Sequence, residues 1–126
     1  MKTIRCLLVQ PNELPLEIEI KNTLKEKQKL VGGLIEVCYL DNEDDVCIVC
    51  NETGKIDNLK PNRYLGSTFI YGDFLVVGAD YKNVDFKSLT RKQIKYYQNF
   101  FGQESINKTN SKIIAHKLAL ALFRRR

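Results

Sequence analysis

Apolar residues along this chain change their spacing once, from every second position to every third or fourth, and that change divides the expected fold. Thr3–Val9 is rich in strand formers and stops at Pro11-Asn12. Leu16, Ile18 and Ile20 then alternate with Glu17 and Glu19, the period of a strand with one wet face, so the two segments predict a hairpin. Thr23 with Glu26 three positions later has the form of a capping box. Leu24, Leu30 and Val31 fall near one face of the short helix it would open, and Gly32-Gly33 ends that helix.

Leu34–Leu40 and Val46–Cys50 read as a second hairpin around the acidic turn Asp41-Asn42-Glu43-Asp44-Asp45. Asn51–Lys55 has turn chemistry, Pro61-Asn62-Arg63 is placed in a loop, and Phe69–Val77 is read as one last strand with a bulge at Gly72. Beyond it the helical period takes over. Thr90 and Gln93 form a second capping box ahead of Ile94, Tyr97, Phe100 and Phe101, with Gly102 closing that helix. Ser111 is placed to cap a third, in which Ile114, Leu118, Ala121 and Leu122 share a stripe for packing on the domain or on a dimer partner. Strands first and helices last predict an α+β fold. It has a small, mostly antiparallel sheet of about five to six short strands, half-barrel curvature being one form of it, packed with two to three helices.

Composition narrows the class. With 126 residues, 44% apolar and 28% charged, the chain suits a single ordinary domain able to hold a core without staples. The apolar run Cys6–Val9 is short for a secretion signal, and no stretch approaches the roughly 18 residues that span a bilayer. A cytoplasmic protein with reduced cysteines and no membrane contact is expected. The net charge of +5 resides in residues 103–126, which hold six basic and one acidic side chain; the rest balances. The expected organisation is therefore a domain over 1–102 and a basic helical extension over 103–126. A basic tail on a neutral body weighs against nucleic acid as the partner of the whole domain, leaving tail-borne nucleic-acid binding as an alternative.

Candidate chemistry is sparse. Cys47-x-x-Cys50 has a metal or redox spacing, but residues three apart on a strand face opposite sides, so these sulfurs diverge. Cys6 and Cys38 also fall in apolar strand contexts, and buried, inert thiols with no metal are expected. His116 stands alone in the tail, and Glu36, Glu52 and Asp73 carry no local mark of activation as acid or base, so no catalytic residue and no cofactor is assigned. Gly32-Gly33 follows a helix instead of preceding one, which suits a cap and not a phosphate loop. The two polar turns are the richest constellation. If they converge, Lys55 and Arg63 can pair with phosphates, Asn51 and Asn62 can read base or ribose edges, and Tyr64 or Tyr71 can stack on a base. The alternative is that the asparagines build turns and Arg63 braces a neighbouring loop.

Five blocks in order carry a resemblance: Leu30-Val31-Gly32-Gly33-x-Ile35-Glu36-Val37, Cys50-Asn51-Glu52-x-Gly54-Lys55, Pro61-Asn62-Arg63-x-Leu65-Gly66, Phe74-Leu75-Val76-Val77-Gly78 and Ser88-Leu89-Thr90-x-x-Gln93-Ile94. Together, over about Met1–Phe101, they resemble the uncharacterised family called domain of unknown function three-eight-four-six. Where that family usually has Gly-Thr-Phe, this chain has Gly72-Asp73-Phe74. The resemblance implies a bacteriophage or mobile-element setting in a host cytoplasm and supplies no activity. By analogy of setting, the expected function is a non-enzymatic, homo-oligomeric accessory protein that sequesters a small anionic nucleotide used as a host defence signal. The alternative is an inhibitor that docks on a host defence or replication enzyme through an exposed sheet face.

Overall fold

The computed structural model describes residues 2–40 and 45–124. The chain is α+β, as its periodicities predict. Eight strands form, in chain order β1 (Thr3–Val9), β2 (Leu16–Lys21), β3 (Ile35–Tyr39), β4 (Val46–Asn51), β5 (Pro61–Leu65), β6 (Thr68–Tyr71), β7 (Phe74–Asp80) and β8 (Asp85–Lys87). Three helices complete the chain: α1 (Leu24–Val31), α2 (Arg91–Phe100) and α3 (Gln103–Arg124). Strands β2, β1, β7, β4 and β3 lie side by side in that order, each described pairing antiparallel. β8 joins β7 along the side that also carries β1, and β5 and β6 make a separate two-stranded ribbon.

The centre of the sheet is apolar on both faces because both faces are covered. In β4, Val46, Ile48 and Cys50 point to one side and Cys47 and Val49 to the other; in β7, Phe74 and Val76 oppose Leu75, Val77 and Ala79. The first face packs against Ile94 and Tyr97 of α2, Phe101 just beyond it, and Leu65 and Ile70 of the ribbon. The second packs against Leu30 and Val31 of α1 and Phe86 of β8. Both helices begin where their caps predict: Thr23 accepts from the Glu26 amide, and Thr90 and Gln93 form the full reciprocal box. Gly32 ends α1 at a φ of 80°, the left-handed conformation a glycine cap supplies.

Four expectations are corrected. Pro61-Asn62-Arg63 opens a strand instead of sitting in a loop, which proline allows at a strand's first residue. Phe69–Val77 is two strands, since Gly72 takes a φ of 79° and turns the chain between β6 and β7. β8 was not foreseen; with it the main sheet has six strands, within the five to six expected, and the β5–β6 ribbon adds two beside it. The third helix starts at Gln103, eight positions before Ser111, because nothing between them breaks it and the Gly102 carbonyl takes the Ile106 amide. Its apolar stripe does not pack on the domain: Ile106 and Thr109 are buried, whereas Ile114, Leu118 and Leu122 are exposed. The acidic turn at Asp41–Asp44 lies outside the described residues.

Candidate functional site

The two polar turns do not converge on a shared pocket. Arg63 is fully buried and points to where α2 ends and the β1–β2 connection passes. Its Nε and Nη2 donate to the Phe101 carbonyl at 3.2 and 2.9 Å, Nη2 also donates to the Glu13 carbonyl at 2.6 Å, and Nη1 donates to the Asn62 side chain at 3.0 Å. Burial pulls its pKa down to about 10, so the guanidinium remains charged at neutral pH while it braces the end of a helix whose carbonyls favour a cation. Asn62, 1% exposed, donates to the carbonyls of Val9 and Gly72, both at 2.8 Å. Asn51 donates to the Val31 carbonyl at 3.1 Å and accepts from the Thr53 amide at 2.8 Å, a side-chain turn. The expected phosphate and base readers Arg63, Asn62 and Asn51 are therefore structural, their polar atoms engaged by backbone. Tyr64 lies elsewhere, its ring edge-on to Phe69 and under Lys112, whose Nζ stands 5.1 Å from the ring centre.

Three of the six candidates do meet. Asn51, Lys55 and Tyr71 line a cavity of about 270 Å³ between β3, β4 and the β5–β6 ribbon, and Glu36, Glu52 and Phe69 share its wall. Its charged lining holds one lysine against two carboxylates, a poor match to an anion.

The sheet register brings a further group to this wall that residue spacing does not reveal. Glu36 stands opposite Cys50 in the β3–β4 pair, and Cys38 lies two residues along the same face from Glu36. One Glu36 carboxylate oxygen is 3.8 Å from the Cys38 sulfur and 4.0 Å from the Cys50 sulfur, and the three candidate ligand atoms lie within 4.8 Å of one another. Cys38 is exposed, correcting its placement among the buried thiols; Cys6, Cys47 and Cys50 are buried as expected. Cys47 and Cys50 do point into opposite cores. Burial raises the Cys38 pKa and the Glu36 charge raises it further. Burial, with Cys38 and Glu36 adding to it, pushes Cys50 up to about 12. The readable signal was Glu-x-Cys on an edge strand combined with its pairing register, not the Cys-x-x-Cys string.

On the opposite face of β3 lies an open apolar groove of about 380 Å³. Val37 and Tyr39 of β3 face Tyr81, Val84 and Phe86 across Cys47 and Ala79, with Asp80 and Asp85 at its margin. Val84, at the β7–β8 turn, is 90% exposed and holds a φ of 51°. A β-branched residue in the left-handed region costs roughly 1–2 kcal/mol, and this one buries almost nothing in return.

No curated protein and no solved structure matches the chain. The five sequence blocks agree with a family match: over residues 4–102 the chain belongs to the family described as Domain of unknown function (DUF3846).

Proposed function

We propose that the chain is a non-catalytic docking protein whose partner lies in the apolar groove on β3. Val84 carries this reading. A strained, branched side chain at the tip of an exposed turn contributes nothing to the free fold, whereas it supplies apolar surface to an occupant. β3 ends the sheet order, so its outer backbone groups can accept an added strand, and Asp80 and Asp85 favour a partner segment with basic residues beside apolar ones. A host protein is the partner that the mobile-element setting implied by the resemblance would supply. Capture of a small anionic nucleotide has only Lys55 as a cation in the lining of its cavity, with Glu36 and Glu52 beside it, and the groove supports docking better.

The test is affinity purification of the tagged chain from cells of its natural setting. One protein is expected to co-purify in stoichiometric amount, and Val84→Asp and Tyr39→Asp are expected to lose it while their circular dichroism matches wild type. Val84→Gly is expected to stabilise the free chain by about 1 kcal/mol, read as a higher urea midpoint, and to weaken capture. Full capture by Val84→Asp, with no gain in stability from Val84→Gly, would remove the proposal.

A further inference from the structure

We propose that Glu36, Cys38 and Cys50 form a binding site for one thiophilic divalent cation, of the zinc class, open on its fourth side to the cavity between β3, β4 and the β5–β6 ribbon. The argument begins with geometry. Metal–sulfur bonds of about 2.3 Å and metal–oxygen bonds of about 2.0–2.2 Å, arranged tetrahedrally, put sulfur–sulfur edges near 3.8 Å and sulfur–oxygen edges near 3.5 Å. The carboxylate oxygen already lies 3.8 and 4.0 Å from the two sulfurs. All three ligand atoms lie within 4.8 Å of one another on two hydrogen-bonded strands, so side-chain rotation is what brings them to the tetrahedral edges.

The chemistry of the set selects the ion. Two sulfurs and one carboxylate are softer than the all-oxygen cages that hold calcium or magnesium. As free thiols the two cysteines make only long contacts to Glu36 oxygens. A dication replaces both thiol protons, which pass to solvent, and it is balanced by two thiolates and the carboxylate. A disulfide is a poorer use of the same pair. Cys38 stands opposite Ile48 and Cys50 opposite Glu36, so the cysteines are diagonal neighbours, typically about 7–8 Å apart across a sheet, where a disulfide usually requires Cα atoms within about 4.4–6.8 Å. The fourth position faces Asn51, Glu52 and Lys55, leaving room for a water or a small ligand on the ion.

The experiment titrates the reduced, full-length protein with cobalt(II) as a spectroscopic probe and with zinc(II) in competition. The expected result is a thiolate-to-cobalt charge-transfer band saturating at one ion per chain, bleached by zinc and unaffected by magnesium, with about two protons released per ion in weak buffer. Cys38→Ser removes an exposed ligand, so it tests the site without risking the core; it is expected to abolish the band, and Cys47→Ser to retain it. Glu36→Gln is expected to weaken binding at least about tenfold, the loss that even an outer-shell change produces. Absence of the band from wild type, or a band retained by Cys38→Ser, would overturn the proposal. Neither result bears on the groove across the sheet, whose partner capture is read separately.

Discussion

Arg63 carries its charge into the interior with no carboxylate among the described residues to meet it; its acceptors are carbonyl and amide oxygens from residues 10, 13, 62 and 101. Arg63→Ala strands those acceptors and opens a cavity, so a loss of about 3 kcal/mol or more is expected in urea unfolding. A loss below about 1 kcal/mol would mean that water takes over the bonds. Arg63→Lys is not expected to restore stability, because a point ammonium cannot serve a forked set of acceptors. The sequence could not separate this role from phosphate binding, since a basic residue between polar neighbours reads the same whether its tip is wet or buried. The thiols give a pH signature at the same scale. Burial holds Cys6 and Cys50 near 12 and Cys47 near 11 against an ordinary value of 9.0. Above pH 9 the unfolded chain gives up these protons before the folded one does. The stability they contribute is therefore complete below that pH and is lost as pH climbs toward 12. The urea midpoint is expected to fall through this window, and Cys6→Ala to flatten the fall.

At the scale of elements, α2 is the lid of one core, and it is held at its start by the Thr90–Gln93 box and by the Arg91 guanidinium on Glu17 of β2, at 2.7 and 3.1 Å. Thr90→Ala is expected to cost about 1 kcal/mol in thermal or urea unfolding. The box was legible because its residues sit three apart and need no tertiary contact. Strand β2 was legible because its alternation faces a single core, and β1 because its run of strand formers stops at Pro11. Gly72 was misread as a bulge because apolar residues resume directly after Gly72-Asp73, and only packing reveals the turn. There a Cβ would stand 2.7 Å from Leu59 Cδ1, so the bend is fixed by a loop contact the pattern does not contain. The trio on β3 and β4 was invisible for a related reason: pairing register belongs to two strands together.

For the whole molecule, the accessible surface is 8578 Å². A compact monomer of 14.6 kDa exposes about 6,900 Å². The excess fits the outer half of α3, where Ile114, Leu118, Leu122 and Phe123 stand between 58% and 73% exposed. Exposed apolar surface on that scale favours self-association, and sedimentation is expected to find an oligomer for the full chain and a monomer once residues 112–126 are removed. A monomer at both lengths would exclude the arm as an oligomerisation element. The basic charge of residues 103–126 was legible in the sequence, but the projection of the arm beyond Thr109 was not, since an apolar stripe does not say what it faces.

The bonds of Arg63 also set an order of events in time. They join segments 38 to 53 positions away along the chain, so the cation has no home until β1, β5 and the end of α2 have all arrived. Loop closure over such separations is costly, and these contacts are expected to form after the folding barrier has been crossed. Changing Arg63 should leave the refolding arm of a chevron plot nearly where it was and steepen the rate of escape, making this one residue a latch on the lifetime of the native state.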